Sequence, residues 1–445
     1  MSNISSALSV AQRLIHVLDH LGLPKAHFAL RYPLDLVGLL EHAPERVASV
    51  VLQGATGQPE PFAPIAAHTL WLLGDAGQSG QMRARLEALP QAVVHWIKDY
   101  PEFQWSDTAV DRAEELARTM LGFLQRMDAE GAPPPVSVSG TGEVAGVTYA
   151  AAGRGTPVLL LPLGLSSRQW EPVLPRLQAH YCTIVLGGPH LKPMEQLESR
   201  AKGGYARMAL QLLDMAQPHA GEALIEVGCG TGALLRCIAQ HTGMAQVTGL
   251  DINGFLLKEA HGLAVQEGLG ERLLLKQGSA EAVPFPDNTF NIVYSCTVME
   301  EVDADRMLAE LVRIAAPGGR VAVGVRAVDR GQWTNLPLPA PLKAKIEAPV
   351  GAAGVGGGMN ARGCADASLY QRFQQAGLQA IEGGPAWAWA RPATAWWQTN
   401  LEPLIRSMLT PAEEQTWLRA LQQAQADGLP VWIARPFHCA VGTKP

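Results

Sequence analysis

The sequence predicts an α/β protein of two domains, each built on a mostly parallel sheet that helices cover. Short apolar runs typical of strands alternate with helical patterns along the chain, and such alternation favours parallel sheets. Residues 127–146 are rich in proline, glycine and serine and predict a semi-rigid spacer inside the first domain. A chain of 445 residues is long enough for two cores. We therefore expect a first domain over residues 1–200 and a second over residues 201–445.

Composition and charge argue against a membrane protein and against a nucleic-acid-binding protein. No apolar run reaches the roughly 18–20 residues that a membrane span requires. The formal net charge is −6 and no run of Lys or Arg appears, so a surface that follows phosphates is not predicted. Residues 1–20 predict an amphipathic helix without the basic start and cleavage site of a secretion signal. We expect a cytoplasmic protein with no membrane span and no nucleic-acid partner.

The six cysteines favour neither a disulfide framework nor a metal site. They are scattered, with no C-x-x-C pair and no cluster with histidine. We interpret Cys229 and Cys237 as small packing residues, and we expect no metal.

The predicted elements of the first domain lie on both sides of the spacer. Strands are predicted at 27–30, 48–52, 69–73, 92–97, 136–139, 146–151, 158–162 and 182–186. Helices are predicted at 34–42, 81–89, 110–127 and 167–180.

Residues 10–125 and 136–192 resemble the back and front halves of an α/β-hydrolase, in exchanged order. "HFALRYPLDLVGLLEHAPERVASVVLQG", residues 27–54, resembles the strand, nucleophile elbow and helix of that family. "TPVLLLPLGLSSRQWEPVLPRLQAHYCTIVLGG" resembles a strand, turn, helix and strand from its front half. The resemblance implies a circularly permuted hydrolase-like sheet. The alternative is two independent α/β pieces that are merely similar to it.

Other residues occupy the three catalytic positions that this resemblance implies. Tyr32 stands where the family has its serine, Glu102 where it has its histidine, and Gly77, near Asp75, where it has its acid. Because the chemistry needs nucleophile, base and acid together, we expect a non-catalytic domain. The serines and histidine that we interpret as ordinary turn residues are Ser166, Ser167 and His190.

The strongest motif of the chain is "ALIEVGCGTGALLRCIAQ", residues 223–240. A predicted strand, 223–227, ends in a glycine-rich turn that opens a helix, whose first N–H groups favour a carboxylate or phosphate. The glycines permit backbone angles that other residues resist and let a ligand approach closely. The next predicted strand, 245–250, leads to Asp251, about twenty residues on, where an acid accepts hydrogen bonds from ribose hydroxyls.

With Glu226 before it, the spacing G-x-G-x-G resembles motif I of class I S-adenosylmethionine-dependent methyltransferases. "LDINGFLL", "GSAEAVPFPDNTFNIVYSCTVMEEV" and "MLAELVRIAAPGGRVAVGV" follow in that family's order, over residues 205–327. The C-terminal "VWIARPFHCAVGTKP" is similar to the last strand of a small-molecule branch related to quinone-biosynthesis methyltransferases. The resemblance implies a Rossmann-like sheet with a helical cap insertion, and S-adenosylmethionine as cofactor.

The resemblance also implies the residues that bind this cofactor. Glu226 and the glycine turn would hold the methionine part, Asp251 the ribose, and the segment 279–281 the adenine edge. The full implied set is Glu226, Gly228, Cys229, Gly230, Gly232, Asp251, Ile252, Ser279, Ala280, Glu281 and Ser295. Ser279 replaces the acid usual in the family, which predicts weaker binding, and Asn291 replaces a frequent aspartate at a position that is more often structural. Ser295 and Cys296 would face the reacting methyl group.

No catalytic residue is predicted. Methyl transfer from a sulfonium is an in-line displacement with an activated donor, so the enzyme must mainly align the reacting atoms, and a general base is optional. We interpret Glu300 and Glu301 as the start of a solvated helix rather than a catalytic pair, and His438 as a core histidine.

We expect residues 331–430 to select the methyl acceptor. Six of the eleven tryptophans lie there, and helices predicted within 394–426 would cap an apolar pocket. The glycine-rich segment 348–363 predicts a loop that closes over the site. We expect a small, partly apolar methyl acceptor.

Three functions stay open from the sequence. The first is a methyltransferase with a non-catalytic first domain, the second a cofactor-binding scaffold without transferase activity, and the third a bifunctional hydrolase–methyltransferase. The hydrolase-like halves are expected to pair within one chain or by exchange in a homodimer.

Overall fold

A computed structural model describes residues 8–55, 59–80, 82–102, 106–164, 167–188, 191, 197–349, 360–392, 394, 397 and 401–445. The chain divides into two compact units, Met1–Met194 and Glu195–Pro445. Each unit has an eight-stranded sheet with helices, as the α/β prediction requires. Within the described ranges, no helix combines the length and apolar character needed to cross a membrane.

The first unit has six parallel strands and an antiparallel hairpin at one edge. Its strands are β1 (Ala26–Leu30), β2 (Val47–Gln53), β3 (Thr69–Ala76), β4 (Val93–Glu102), β5 (Gly140–Val144), β6 (Val147–Ala152), β7 (Pro157–Leu160) and β8 (Cys182–Gly187). They are ordered β4-β3-β2-β1-β7-β8-β6-β5, with β5 and β6 antiparallel.

The helices of the first unit lie between these strands in the chain. They are α1 (Val10–His20), α2 (Leu34–His42), α3 (Gly77–Gly80), α4 (Arg83–Glu87), α5 (Thr108–Asp111), α6 (Ala113–Gly131) and α7 (Leu174–Gln178), with 3-10 turns at Pro44–Arg46, Glu60–His68 and Ser167–Trp170. The helix predicted over 1–20 begins at Val10 behind the N-cap Ser9, and residues 1–7 lie outside the described residues.

The central strands are buried on both faces of the sheet, which explains their continuous apolar runs. Phe28 and Leu30 pack into one apolar cluster, while Ala29 between them packs into another on the opposite face. Both clusters consist of residues of the first unit.

Prolines explain two wrong predictions in this unit. The strand predicted at 136–139 is absent apart from one bridge between Val136 and Gly155, because the three prolines before it supply no N–H groups to a ladder. The single helix predicted at 167–180 is two short pieces, since Pro172 and Pro175 interrupt helical hydrogen bonding.

The second unit has a parallel sheet extended by antiparallel strands. Its strands are β9 (Leu224–Val227), β10 (Val247–Asp251), β11 (Leu273–Gln277), β12 (Phe290–Cys296), β13 (Ala315–Arg326), β14 (Trp333–Thr334), β15 (Gln379–Ala390) and β16 (Ile433–Thr443). The order is β11-β10-β9-β12-β13-β16-β14, and β15 also pairs with β16.

The helices of this unit include two between β15 and β16, where the sequence predicted an insertion. They are α8 (Gly203–Met215), α9 (Ala233–Thr242), α10 (Gly254–Gln266), α11 (Ala304–Ile314), α12 (Ala340–Glu347), α13 (Ser368–Gln375), α14 (Glu402–Met408) and α15 (Pro411–Ala426), with 3-10 turns at Ser199–Ala201 and Gly270–Arg272.

The strand order reverses between β9 and β12. From β9 the chain moves outward through β10 to β11 and then returns to β12 on the other side of β9. In open α/β sheets, ligands bind at the carboxyl ends of the strands where the order reverses. The motif that follows β9 therefore lies at the switch point of the sheet.

Candidate functional site

The glycine turn (residues 228–232) is held against the neighbouring strand and loop. Gly228, Gly230 and Gly232 have φ angles of +81°, +54° and +70°, in the left-handed region that favours glycine. The Gly228 N–H donates to the Leu250 carbonyl of β10 at 2.7 Å. A Cβ at Gly228 would lie 2.2 Å from Cγ2 of Val298, in the loop after β12. The turn is thus fixed before any ligand binds.

Two carboxyl groups, one buried and one partly buried, flank this turn on adjacent strands. Glu226 on β9 is 2% exposed, and its Oε2 has no hydrogen-bond partner among the described residues. Burial, and then the nearby Asp251, raise the pKa of Glu226 to about 8. Asp251 accepts hydrogen bonds from the N–H groups of Gly230 at 2.8 Å and Asn253 at 2.9 Å, while burial raises its pKa.

The predicted adenine segment lies beside Asp251. The Gly278 N–H donates to the Asp251 carbonyl at 3.0 Å, and Ile252 is 52% exposed next to it. The Ser279 hydroxyl accepts from the Glu281 N–H at 3.1 Å within a tight turn. Ala280 is partly buried against the apolar core of this unit.

The carboxylate of Glu281 serves the start of helix α11. Its Oε1 accepts the Asp303 N–H at 2.9 Å, and its Oε2 lies 3.3 Å from the Arg306 guanidinium. Both carboxylate oxygens of Glu281, in the predicted adenine segment, are therefore in contact with other residues of the protein.

Ser295 and Cys296 are also bonded within the protein. The Ser295 hydroxyl donates to the Val227 carbonyl at 2.8 Å and so ties β12 to β9 below the turn. The Cys296 sulfur lies 3.6 Å from the Tyr205 hydroxyl, and burial raises the pKa of its thiol to about 12. Asn291 is structural, since its side-chain oxygen accepts the Ala223 N–H at 3.0 Å.

The interpretation of Glu300 and Glu301 as a solvated helix start is wrong. Glu300 is fully buried, and its Oε1 accepts from the backbone N–H and the Nε of Arg326 at 2.6 and 3.2 Å. Glu301 accepts from the same guanidinium at 3.0 Å, and burial raises its pKa to about 7. Helix α11 begins only at Ala304. An arginine directly after the apolar run of β13 was the signal that could have predicted this pair.

Sequence reasoning also missed a polar group beside the loop after β12. The Tyr205 hydroxyl lies 3.1 Å from the Thr297 hydroxyl, to which Arg200 donates at 3.2 Å. Arg200 also lies over the Tyr205 ring, 5.6 Å from its centroid. These residues lie at the carboxyl end of β12, next to the glycine turn.

The C-terminal residues behave mostly as core. His438 is buried, with Nε2 2.8 Å from Asp329 and Nδ1 3.1 Å from the Tyr370 hydroxyl, which confirms a core histidine. Trp397 and Trp417 are buried and stacked at 6.2 Å, so they stabilise the helical insertion. Trp396 and residues 350–359, within the predicted closing loop, lie outside the described residues.

In the first unit, the side chain of Glu102 is used in hydrogen bonds that stabilise the fold. It is fully buried and accepts four hydrogen bonds, so the usual acceptor capacity of a carboxylate is filled. Its donors are Gln53, Gly74, Ser79 and Thr108. Tyr32 is 40% exposed, and the Asp75 carboxylate accepts N–H groups of β4. Ser166, His190 and the Ser167 side chain lie outside the described residues.

A Ser–His–Asp chain does occur in this unit, at an unpredicted place. His27 Nδ1 lies 2.7 Å from the Ser49 hydroxyl and Nε2 lies 3.0 Å from Asp128. Ser49 and His27 are buried in the amino-terminal halves of β2 and β1, away from the strand ends that precede Tyr32. Because a substrate cannot reach the Ser49 hydroxyl, the chain is a structural network rather than a triad.

Among the described residues, no group of three or more His, Cys, Asp or Glu side chains is placed to hold a metal ion. All six cysteines are free, and five of them are buried.

The region around the glycine turn is similar to known methyltransferases. Residues 225–323 match the family described as "Methyltransferase domain". The chain is 38% identical over 100 residues to sterol 24-C-methyltransferase ERG6B of Gibberella zeae, covering 22% of this chain and 26% of that protein. It is 33% identical over 145 residues to the ubiquinone/menaquinone biosynthesis C-methyltransferase UbiE of Hahella chejuensis, covering 30% of this chain and 58% of that protein.

A third relative is named as a probable tocopherol O-methyltransferase of Oryza sativa subsp. japonica. It is 33% identical over 103 residues, which cover 23% of this chain and 28% of that protein. The chain thus spans 26%, 58% and 28% of the lengths of these three relatives. The second unit contains a methyltransferase domain of the class I type.

Proposed function

We propose that this chain, whose residues 225–323 form a methyltransferase domain, transfers a methyl group from S-adenosylmethionine to a small, partly apolar acceptor. The observation that carries the proposal is the arrangement at the switch point of the sheet. The buried carboxyl group of Glu226, with an unpartnered oxygen, and the partly buried one of Asp251 flank a pre-formed glycine turn within the matched residues. The relatives' names support the reaction type but differ in the methylated atom, which is carbon in two and oxygen in the third.

The residues present fit the proposed cofactor. The unpartnered Oε2 of Glu226 suits the amino group of the methionine part, since a buried polar atom normally has a partner. Asp251 uses one bond on each oxygen for backbone N–H groups and keeps acceptor sites for ribose hydroxyls. The exposed Ile252 suits the adenine face, with the serine turn at 279 along its edge.

When bound, the cofactor supplies an activated methyl group. The contribution of the protein is then alignment of donor and acceptor, with reacting atoms about 3–3.5 Å apart. In this proposal Glu226 and the glycine turn position the methionine end of the cofactor. The loop after β12, whose Val298 packs against Gly228, positions the acceptor. This division of roles requires no general base from the chain.

For the first unit we propose a hydrolase-like domain without hydrolase activity, over roughly residues 1–200. The strand order, with six parallel strands and an edge hairpin, supports the resemblance. The filled acceptor capacity of Glu102 and the tyrosine at position 32 support the loss of activity. Ester hydrolysis by the wild-type protein across a panel of aryl esters would overturn this proposal, and Tyr32→Ser tests whether a serine alone restores activity.

Calorimetric titration of S-adenosylhomocysteine tests the proposed function. We expect binding to the wild-type protein, and a loss of about 2–3 kcal/mol in Asp251→Asn, because two charge-assisted ribose hydrogen bonds are weakened. Asp427→Ala, an exposed position at the end of α15, is the matched control and should bind as the wild type does.

No binding to folded wild-type protein would overturn the proposal. Binding without methyl transfer to any of a panel of phenols, quinones and thiols would favour the scaffold instead.

A further inference from the structure

The first residues of β16 stand beyond the carboxyl edge of the parallel strands. Arg326, the last residue of β13, pairs with Phe437 of β16, and the two strands are antiparallel. Arg435 precedes Phe437 by two residues, so it extends about 7 Å past the end of β13 at 3.3–3.4 Å per residue. This is the edge at which the glycine turn and the loop after β12 lie.

Arg435 projects from the same face of β16 as Phe437, because side chains alternate along a strand. The Phe437 ring packs edge-on against Tyr205 at 5.6 Å, and the Tyr205 hydroxyl reaches Thr297 after β12. The charges that act on Arg435 are those of Arg326 and Glu300, together with Tyr205. Arg435 therefore belongs to the polar group beside the loop after β12.

The neighbouring arginines of this group have partners, whereas the guanidinium of Arg435 makes no hydrogen bond or ion pair among the described residues. Arg326 is bound by Glu300 and Glu301, and Arg200 donates to Thr297. Arg435 is partly buried, and burial together with the charge of Arg326 lowers its pKa to about 10, so it stays cationic at neutral pH. Partial desolvation without a partner is unfavourable for a charge, and no nitrogen of Arg435 is among the fully buried unpartnered atoms, so a ligand can reach the guanidinium.

The nearby carboxylates do not pair with Arg435. Glu300 gives its Oε1 to Arg326, and its Oε2 is buried without a partner rather than bonded to Arg435. Glu301, whose pKa burial raises to about 7, is already paired with Arg326. Of the two charged groups that act on Arg435, Glu300 is thus bound to Arg326, the other one, and Arg435 is left without a bound counter-charge among the described residues.

We propose that Arg435 binds an anionic group, a carboxylate or a phosphate, on the methyl acceptor. This inference rests on the proposed function and names the substrate class. A guanidinium presents a planar fork that fits either oxyanion through two parallel hydrogen bonds.

The carboxylate of the cofactor does not account for Arg435. β16 is three strand spacings from β9, about 14 Å at 4.7–4.9 Å each, so Arg435 lies on the far side of the loop after β12 from the glycine turn.

The experiment compares anionic and neutral probes on full-length protein saturated with S-adenosylhomocysteine. The probes are benzoate, phenyl phosphate and neutral benzamide, which share a ring and differ in charge. The variants are Arg435→Met, the charge-retaining Arg435→Lys, and Arg419→Met as a control at an exposed arginine of α15. Thermal melting of each variant shows whether it folds.

We expect at least one anionic probe to bind the wild-type protein about tenfold or more tightly than benzamide. Arg435→Met should remove that preference, Arg435→Lys should retain part of it, and Arg419→Met all of it. The better of benzoate and phenyl phosphate identifies the oxyanion. S-adenosylhomocysteine should bind Arg435→Met as tightly as the wild type.

Equal binding of benzoate, phenyl phosphate and benzamide to the wild type would overturn the proposal, as would a preference that survives in Arg435→Met. Loss of S-adenosylhomocysteine binding in folded Arg435→Met would assign the arginine to the cofactor and also overturn it. Repeating the probe titrations on cofactor-free protein separates this result from a failure of the proposed function, which would show as no cofactor binding in the wild type.

Discussion

At the scale of single residues, the site depends on two acidic groups whose environments differ. Asp251 receives two backbone N–H groups, whereas Glu226 is buried with an oxygen that has no partner among the described residues. Backbone hydrogen bonds thus offset part of the cost of ionising Asp251, whose pKa burial still raises, and no such bond reaches Oε2 of Glu226. Glu226 has a pKa of about 8 and is mostly protonated at pH 7.

Ligand binding should therefore be coupled to the ionisation of Glu226. If the amino group of S-adenosylhomocysteine binds beside it, the positive charge favours the carboxylate, so at pH 7 binding releases a proton and tightens as pH rises from about 6 towards 8. Calorimetry at pH 7 in two buffers of different ionisation heat measures the protons released. We expect release of up to about one proton from the wild type.

Glu226→Gln should release fewer protons and bind with a flatter pH dependence. Glu271→Gln, at an exposed position, is the control and should match the wild type. The coupling is refuted if the wild type releases no proton, or if Glu226→Gln releases as many.

The positions of Glu226 and Asp251 beside the glycine turn could be predicted because the signal is local. Glu226 and Asp251 follow from a strand, a turn and a fixed spacing, all within one segment of the chain. Glu300 was misread because its partner, Arg326, lies on the next strand, and an acid pair before a helix is typical of solvent exposure. Arg435 gave no signal, since its place beyond β13 depends on the register between β13 and β16.

At the scale of elements, the turn after β9 is constrained by its neighbour as well as by its backbone angles. Gly228 lies against Val298. Gly243, at the end of α9, has a similar positive φ of +63°, but a Cβ added there would have no atom within 4 Å. The two glycines therefore separate the cost of the backbone conformation from the cost of the contact.

Gly228→Ala should destabilise the protein more than Gly243→Ala does. The left-handed conformation costs each alanine about 1–2 kcal/mol, and only Gly228→Ala adds the overlap with Val298. Denaturant unfolding measures both, and S-adenosylhomocysteine binding should be lost only in Gly228→Ala. Val298→Ala in the Gly228→Ala background should recover part of the stability. Equal losses in the two single variants would contradict the contact argument.

Element types were predictable where hydrophobic patterns were long, and less so near prolines. The runs in β1, β2 and β3 and in β9 and β10 predicted strands because both faces of those strands are buried. The strand predicted at 136–139, within the spacer, was wrong because the apolar residues at 136 and 138 follow three prolines. The helix predicted at 167–180 was wrong because an apolar pattern does not show which N–H groups are missing. Pairing order within a sheet follows from tertiary packing and could only be inferred through a resemblance.

At the scale of the molecule, each unit has its own core. The two apolar clusters of the first unit contain residues between Leu14 and Leu191, and those of the second contain residues between Tyr205 and Val441. The candidate cofactor-binding residues, 226 to 295, all belong to the second unit. Occupancy of the site should therefore stabilise that unit directly.

S-adenosylhomocysteine should raise the unfolding temperature of the second unit and leave that of the first nearly unchanged. At a ligand concentration of about 100 times Kd, binding stabilises the native state by about 2.7 kcal/mol. Scanning calorimetry with and without the ligand measures the shift, and hydrogen exchange on the full chain assigns it. Protection should increase within residues 224–301 and stay constant within residues 26–188. Asp251→Asn, measured in parallel, should show a smaller shift because it binds more weakly. Added protection across β1 to β8 of the wild type would show that the first unit responds to the ligand and would contradict this prediction.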